Sequence, residues 1–353
     1  MKTWQKLKEN PLLWQQYFVR ERVLRAIRLF FEGQGFHEVE TPILIGHPPA
    51  ESYLEVFETS LLDRNRNKTR AYLSTSPEVP LKKLLVAGIG NCFSVTKSFR
   101  NMETQSITHN PEFTILEWYR VGVGYTEIMK DCEDLLLFIN TYLLRSLEIS
   151  NGRTTKELLY QHAHVDLSKS WERLTVTEAF NKWAHIDFNE FLDEQKARII
   201  ARKKGYAVEI HTTWEALFNQ IFLNEIEHNL GRGKPTILYE FPSVMGALAR
   251  KKDSDPRFAE RFEFYIEGLE LGDCYGELTN WKEQDSRFKE ELRAIKRAHR
   301  TTYEYDHNFI DALKVGMPQC SGIAVGVDRL IMLFADTEKI QDTLFFPIEE
   351  LLS

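Results

Sequence analysis

Apolar residues recur at helical spacing through Leu12–Phe31, with Phe18, Leu24, Ile27 and Phe31 on one stripe and basic residues between, and Gly33–Gly35 ends the run. A helix is therefore predicted near the start of the chain. Glu38–Ile45 reads as a short strand interrupted by Pro42, which cannot donate to a ladder and marks an edge or a kink. The charged stretch Asp63–Arg70 looks like a hairpin loop ahead of a strand at Ala71–Ser74. Glu78–Ala87 is expected to be helical. Cys92–Phe99 and Phe113–Arg120 are expected to be strands, joined by the polar loop Asn101–Asn110. Tyr125–Leu147 is a long amphipathic helix, and Leu174–Ile226 carries further helical segments. Strand character returns at Thr236–Phe241, Arg261–Ile266, Leu269–Gly272 and Ile323–Val327, the last running into an apolar helix at Asp328–Ala335. Strands with long helical excursions and few βαβ units predict an α+β fold on an antiparallel sheet flanked by helices.

Composition narrows the function classes. The chain has 353 residues, 43% hydrophobic and 27% charged, with a net charge of −7, so no global positive field gathers nucleic acid. Any polyanion must be held by local Arg and Lys. No apolar run reaches the length of a membrane span, and Met1–Asn10 lacks the apolar centre of a secretory signal, so a cytoplasmic protein is expected. Cys92, Cys132, Cys274 and Cys320 have no zinc-like spacing and are expected to be free thiols. His162 and His164 would share one side of a strand, but no third ligand lies nearby.

The candidate chemistry begins with Arg261–Gly272, RFEFYIEGLELG. Alternation separates Phe262, Phe264 and Ile266 from Glu263 and Tyr265, and Glu267-Gly268 supplies a turn, so Glu263 and Glu270 come out opposite or diagonal on one face. Neighbouring like charges repel. Mg²⁺, which takes one or two carboxylates plus substrate phosphates, would relieve them; two carboxylates splayed into water is the alternative. In Gly322–Arg329, Gly322, Ala324 and Gly326 would leave a sheet face bare for a flat ring, and a phosphate near the helix start would suit Arg329. A tight strand–helix join is the alternative there. Arg100 ends a strand and enters the loop that returns through His109–Phe113; it is either a bidentate phosphate ligand or an ordinary surface arginine.

These pieces, with Gly35–Pro42 before them, resemble in order and spacing the three signature motifs of class II aminoacyl-tRNA synthetases. The lysyl subtype is the most similar, through Ser76-Pro77-Glu78, His109–Phe113, Pro235–Pro242, Arg261–Phe264 and Gly322–Leu333. Only 34 residues precede Gly35, too few for an anticodon-binding domain. Lys83–Gly88, Leu116–Arg120, Ala312–Pro318 and Ala324 resemble the elongation factor P lysine ligase family, lysyl-tRNA synthetase paralogues that attach (R)-β-lysine to a lysine of elongation factor P.

The resemblance implies an N-terminal helical segment over 1–34 and a synthetase-like catalytic domain over 35–353, with a helical insertion at about 150–235. It implies ATP and Mg²⁺ as cofactors, lysine or (R)-β-lysine as substrate, elongation factor P as acceptor, no tRNA charging, no membrane, and a homodimer through Gly35–Pro42. By residue, it implies that Arg100 and Arg329 hold the phosphates, Phe113 and Arg329 sandwich adenine, and Glu263 and Glu270 bind Mg²⁺. Asn101, Glu103, His109, Asn110, Leu271 and Gly326 would complete the ATP site, and Ser76, Pro77, Glu78, Tyr119, Glu277 and Ala324 the amino-acid site. Glu78 and Glu277 would receive the two ammonium groups.

The family's Arg-Asn-Glu reads Arg100-Asn101-Met102-Glu103, so its adenine-contacting glutamate is displaced to Glu103 or lost, and the loop to His109 is one residue longer. Gly272–Leu278 has GDCYGEL in place of an Asn-Gly-Phe core, which would put Asp273, Cys274 and Tyr275 in the amino-acid pocket. A different acceptor, α-lysine as donor, or a non-catalytic regulator of the same fold are the alternatives.

Overall fold

The computed structural model describes residues 2–104, 106–146, 156–168 and 170–352. Its centre is an eight-stranded sheet built from β1 (His37–Glu38), β2 (Cys92–Phe99), β3 (Glu112–Val121), β4 (Glu172–Thr175), β5 (Thr236–Tyr239), β6 (Arg261–Ile266), β7 (Leu269–Gly276) and β8 (Cys320–Gly326). The spatial order is β1-β2-β3-β8-β7-β6-β5-β4. The two outer pairs, β1 with β2 and β5 with β4, are parallel, and every inner pair is antiparallel.

Alternation along these strands divides the sheet into two faces. Phe93, Leu116, Trp118, Phe262, Phe264, Cys274 and Ile323 point into the main core. That core is closed by α1 (Trp14–Gly33), through Val23, Ile27 and Phe31, and by α3 (Tyr125–Ser146) and α6 (Val327–Ala335). The opposite face carries a cleft. It is bordered by α2 (Glu78–Val86), and Leu81, Leu85, Phe288, Phe309 and Leu313 pack α2, α4 (Trp281–Arg297) and α5 (His307–Gly316) into a smaller cluster. A third cluster, around Phe180, Phe188, Phe191, Trp214 and Phe218, belongs to the helices between Val176 and Asn229. That stretch follows a two-stranded hairpin, Glu157–Tyr160 with Ala163–Asp166, and β4, which joins the main sheet.

Several expectations change in detail. The strand around Pro42 divides into His37–Glu38 and Leu44–Ile45, on either side of the proline. β7 runs four residues beyond Gly272. His162 is a turn residue with φ of 68°, so it shares no strand face with His164. The expected helix at Tyr125 ends at Ser146 within the described residues; Leu147 lies outside them. α4 and α5 were not expected. In α4 only Gln284, Phe288 and Ile295 are buried, too few to print a periodic apolar stripe. Among the described residues no helix is long and apolar enough to cross a membrane.

Candidate active site

The β6–β7 hairpin sets the floor of the cleft. Glu267 and Gly268 both have positive φ, 50° and 75°, the combination a two-residue type I′ turn requires. The ladder pairs Tyr265 with Glu270 but Phe264 with Gly272, leaving Leu271 as the extra residue of a bulge. The bulge brings Asp273 to the face that Glu263 and Glu270 share. One register line then crosses five strands: Ser94, Glu117, Ala324, Asp273 and Glu263 lie side by side. The next line on the same face holds Cys92, Tyr119, Gly322, Tyr275 and Arg261.

Above these lines lies a cleft of about 310 Å³. Of the residues expected to bind ATP or amino acid, Ser76, Glu78, Arg100, Glu103, His109, Asn110, Phe113, Glu263, Glu270, Leu271, Ala324, Gly326 and Arg329 all line it. Pro77, Asn101, Tyr119 and Glu277 do not. Asn101 turns its side-chain oxygen to the Met102 amide at 2.9 Å, which closes the strained start of the longer loop, where Met102 has φ of 64°. Glu103 occupies the cleft instead; burial raises its pKa, against the opposing charges of Arg100 and Arg329.

At one end the groups suit polyphosphate. Arg100 forms no ion pair among the described residues; its buried Nε has no hydrogen-bond partner, and its guanidinium lies 5.1 Å from the centre of the Phe113 ring. A part-buried guanidinium without an ion pair suits an anion. Arg329 donates to the Glu270 carbonyl at 2.7 Å and lies 3.5 Å from the Glu270 carboxylate. Its Nη2 is 2.8 Å from His109 Nε2. Burial and the Arg329 charge push the His109 imidazole down to about 4, so it is neutral and accepts this bond. Asn110 leaves a buried side-chain oxygen without a donor in the same region. Asp328, which receives the Thr114 amide at 2.6 Å and pairs with Arg20 of α1, anchors the start of α6 beneath the cleft.

The expected metal ligands differ from each other. Glu270 is part exposed to the cleft, whereas Glu263 is buried, 2.7 Å from Arg261 Nη2, and accepts the Tyr265 hydroxyl. Burial pushes the Glu263 carboxyl up to about 8, with Arg261 opposing and the Glu270 and Asp273 charges adding. Three carboxylates therefore share Arg261 and the edge of Arg329. No group of three or more His, Cys, Asp or Glu converges as a cation cage among the described residues. A hard-oxygen donor set with surplus negative charge fits Mg²⁺ at Glu270, with Glu263 behind it.

At the other end the groups suit ammonium. Lys82, 1% exposed, pairs with Glu78 one helical turn earlier and with Glu277 at 2.5 Å. Burial alone would discharge Lys82, but the two carboxylates outweigh it and hold its pKa above the ordinary lysine value. Glu117, 2% exposed, lines the cleft and accepts the Tyr119 hydroxyl at 3.2 Å; burial and the Glu78 charge push its carboxyl well above the usual range. Sequence reasoning missed both Lys82 and Glu117. The four-residue step from Glu78 to Lys82 and the two-residue step from Glu117 to Tyr119 were the signals available.

Two expectations about the strand around Gly322 need correction. Its face is not bare: a Cβ on Gly322 would lie 2.2 Å from the Tyr119 ring and 2.9 Å from Glu277, so the glycine makes room for those side chains. Glu277 therefore sits behind the floor, reached through Lys82. Cys274 is fully buried in the main core and is no part of the pocket, whereas Asp273 and Tyr275 line it. Asp273 takes Arg261 in a bidentate pair at 2.9 and 3.0 Å and the Tyr275 hydroxyl at 2.8 Å.

A family model for class II tRNA synthetases (D, K and N) matches residues 3–350. The chain belongs to the class II tRNA synthetases. It is 35% identical to an elongation factor P–(R)-β-lysine ligase of Avibacterium paragallinarum over 95% of this chain and 96% of that protein. A Haemophilus influenzae protein of the same name is 34% identical over 95% of both chains. The lysine–tRNA ligase of Carboxydothermus hydrogenoformans is 31% identical over 96% of this chain and 66% of its own length. Like these class II relatives, the chain is a ligase.

Proposed function

We propose that the protein activates (R)-β-lysine or lysine as an aminoacyl-adenylate and transfers it to a lysine side chain of elongation factor P. One observation carries the donor class. Among the described residues the only ion pairs of Glu78, Glu117 and Glu277 are with Lys82, with Arg250 acting on Glu277 from farther off, so up to two carboxyls of this buried site have no cation of their own. A diammonium substrate supplies two, and uncompensated buried charge is costly. The acceptor rests on relatives named for elongation factor P, which match over nearly their whole length. A homodimer, a cytoplasmic location and no tRNA charging complete the proposal.

In the first step the substrate carboxylate oxygen attacks the α-phosphorus of ATP and pyrophosphate leaves. Arg100 and Arg329 hold the phosphate oxygens and oppose the charge that develops on them. Mg²⁺ held at Glu270, with Glu263 in support, would neutralise phosphate charge. Phe113 offers a ring face to adenine once Arg100 turns to phosphate. The carboxylate end and the arginine end hold the substrate at a fixed attack geometry, the main contribution a rigid cleft can make. In the second step the acceptor amine attacks the adenylate carbonyl and AMP leaves.

The test is intact-mass analysis of elongation factor P incubated with the protein, ATP, Mg²⁺ and each lysine isomer, beside pyrophosphate exchange without acceptor. Isomer-dependent exchange together with one added lysyl mass is expected. No exchange with any isomer would favour a non-catalytic regulator; exchange without added mass would point to another acceptor.

A further inference from the structure

The cleft carboxylates sort by partner. Asp328 is held by Arg20, Glu78 by Lys82, Glu263 and Asp273 by Arg261, and Glu270 by Arg329. Glu117 is sunk in the ammonium end, and Glu103 faces Arg100 and Arg329 at the phosphate end. Glu51 differs. It lines the cleft, forms no ion pair among the described residues, and its carboxylate accepts one hydrogen bond, from the Tyr53 hydroxyl at 2.9 Å. Its electrostatic neighbours in the cleft are Glu78, from the ammonium end, and Arg100, from the phosphate end.

We infer that Glu51 receives the ε-ammonium of the acceptor lysine and takes from it the proton that must leave before the amine can attack. The assignment rests on the proposed ligase reading. An attacking lysine arrives protonated at neutral pH, and the step then balances as follows. One proton passes to Glu51 and frees the nitrogen lone pair. The nitrogen bonds to the adenylate carbonyl carbon, the bond from that carbon to the phosphate oxygen breaks, and AMP leaves with the electron pair. The second amine proton departs with the AMP phosphate.

The surroundings suit that task. Burial and the Glu78 charge push the Glu51 carboxyl up to about 7, with Arg100 and the Tyr53 hydrogen bond opposing and Glu291 of α4 adding slightly; Tyr303 also faces it. A base is most effective when its pKa lies near the working pH. The rival role is structural, in which Glu51 only steadies the Arg100 guanidinium. In that case its loss would slow adenylate formation and transfer together.

Glu51→Gln and Glu51→Asp are to be compared with the unaltered protein in pyrophosphate exchange and in single-turnover transfer from preformed adenylate to elongation factor P, across pH. Glu51→Gln is expected to slow transfer roughly 10²-fold and to slow exchange by a much smaller factor. The rise of transfer rate through neutral pH should vanish in Glu51→Gln and return in part in Glu51→Asp. Hydroxylamine, which needs no base, should trap the adenylate in Glu51→Gln at a rate close to that of the unaltered protein. Equal losses in exchange and transfer, or undiminished transfer, would overturn the assignment while leaving the ligase reading intact. If the unaltered protein exchanges pyrophosphate yet adds no mass to elongation factor P, the acceptor reading fails and this assignment fails with it.

Discussion

Replacing Lys82 with methionine tests the charge arithmetic of the ammonium end. The side chains of Lys82 and Glu277 are each 1% exposed and that of Glu78 10%, so solvent screens their pairing little. Removing the cation from a buried pair costs about 3–5 kcal/mol, because the remaining charge is left uncompensated. Here three carboxyls lose the one ammonium beside them among the described residues. At about 2–4 °C per kcal/mol for a large domain, Lys82→Met should lower the melting temperature by roughly 6–20 °C at pH 8. The loss should shrink at lower pH. Burial holds the Glu277 carboxyl up at about 8 and outweighs the attraction of Lys82. A carboxyl raised in the folded state favours folding at acid pH, and that contribution is lost as pH rises through the folded value. Between pH 5 and 8 Glu277 and Glu117 can therefore protonate and relieve the orphaned charge. The double change Lys82→Met, Glu277→Gln should recover part of the stability at pH 8. The assay is thermal unfolding by circular dichroism at pH 5.5 and pH 8 for the three proteins. A single variant as stable as the parent at pH 8, or one equally destabilised at both pH values, would refute the reasoning.

Glu270→Gln should reduce lysine-dependent pyrophosphate exchange roughly 10²-fold and raise the Mg²⁺ concentration needed, with little change in melting temperature because Glu270 is part exposed. Gly322→Ala places a methyl against Tyr119 and Glu277 and should cost about 1–3 kcal/mol in urea unfolding, with weaker lysine binding. The unliganded protein should lose stability as pH rises from 5 to 8, because Glu263 and Glu277 both have folded values near 8; urea midpoints across that range check it. Glu117→Gln should weaken lysine binding by about 1.5–3 kcal/mol in calorimetry, whereas Asp273→Asn, whose charge Arg261 already neutralises, should change it by less than half as much.

The parts of this molecule that repeat were readable in advance. β2 occupies Cys92–Phe99 as alternation predicts, the β6–β7 turn falls at Glu267-Gly268, and the arginines of the phosphate end follow from strand ends and a helix start. What alternation does not carry is partnership. Lys82 reads on a helix wheel as one more basic residue, and only the approach of β7 behind α2 brings Glu277 to it. Arg261 likewise reads as the first residue of a strand, yet its fork closes on Asp273 and Glu263 because the line Arg261–Tyr275 lies next to the line Glu263–Asp273 on one face. Charge sites formed across elements depend on register, and register depends on irregularities that a period of two cannot express.

The unpaired Leu271 is such an irregularity, and it decides which chemistry faces the cleft. A regular ladder from the turn at Glu267-Gly268 would keep Tyr265 opposite Glu270 but would then set Asp273 against Phe262 and Cys274 against Arg261. Asp273 would enter the main core without a partner, and the Arg261 guanidinium would face a thiol. Burying that carboxylate unpaired would cost several kcal/mol. The extra residue shifts the far half of β7 by one position, so Cys274 fills the core while Asp273 and Tyr275 join Glu270 on the cleft side. The same shift aligns Asp273 with Ala324 and Glu117 across the sheet. Only after the bulge does a small residue lie between an acid bound to Arg261 and an acid left for substrate. The separation between the neutralised and the attractive ends of the cleft is therefore a consequence of one residue that makes no ladder pair.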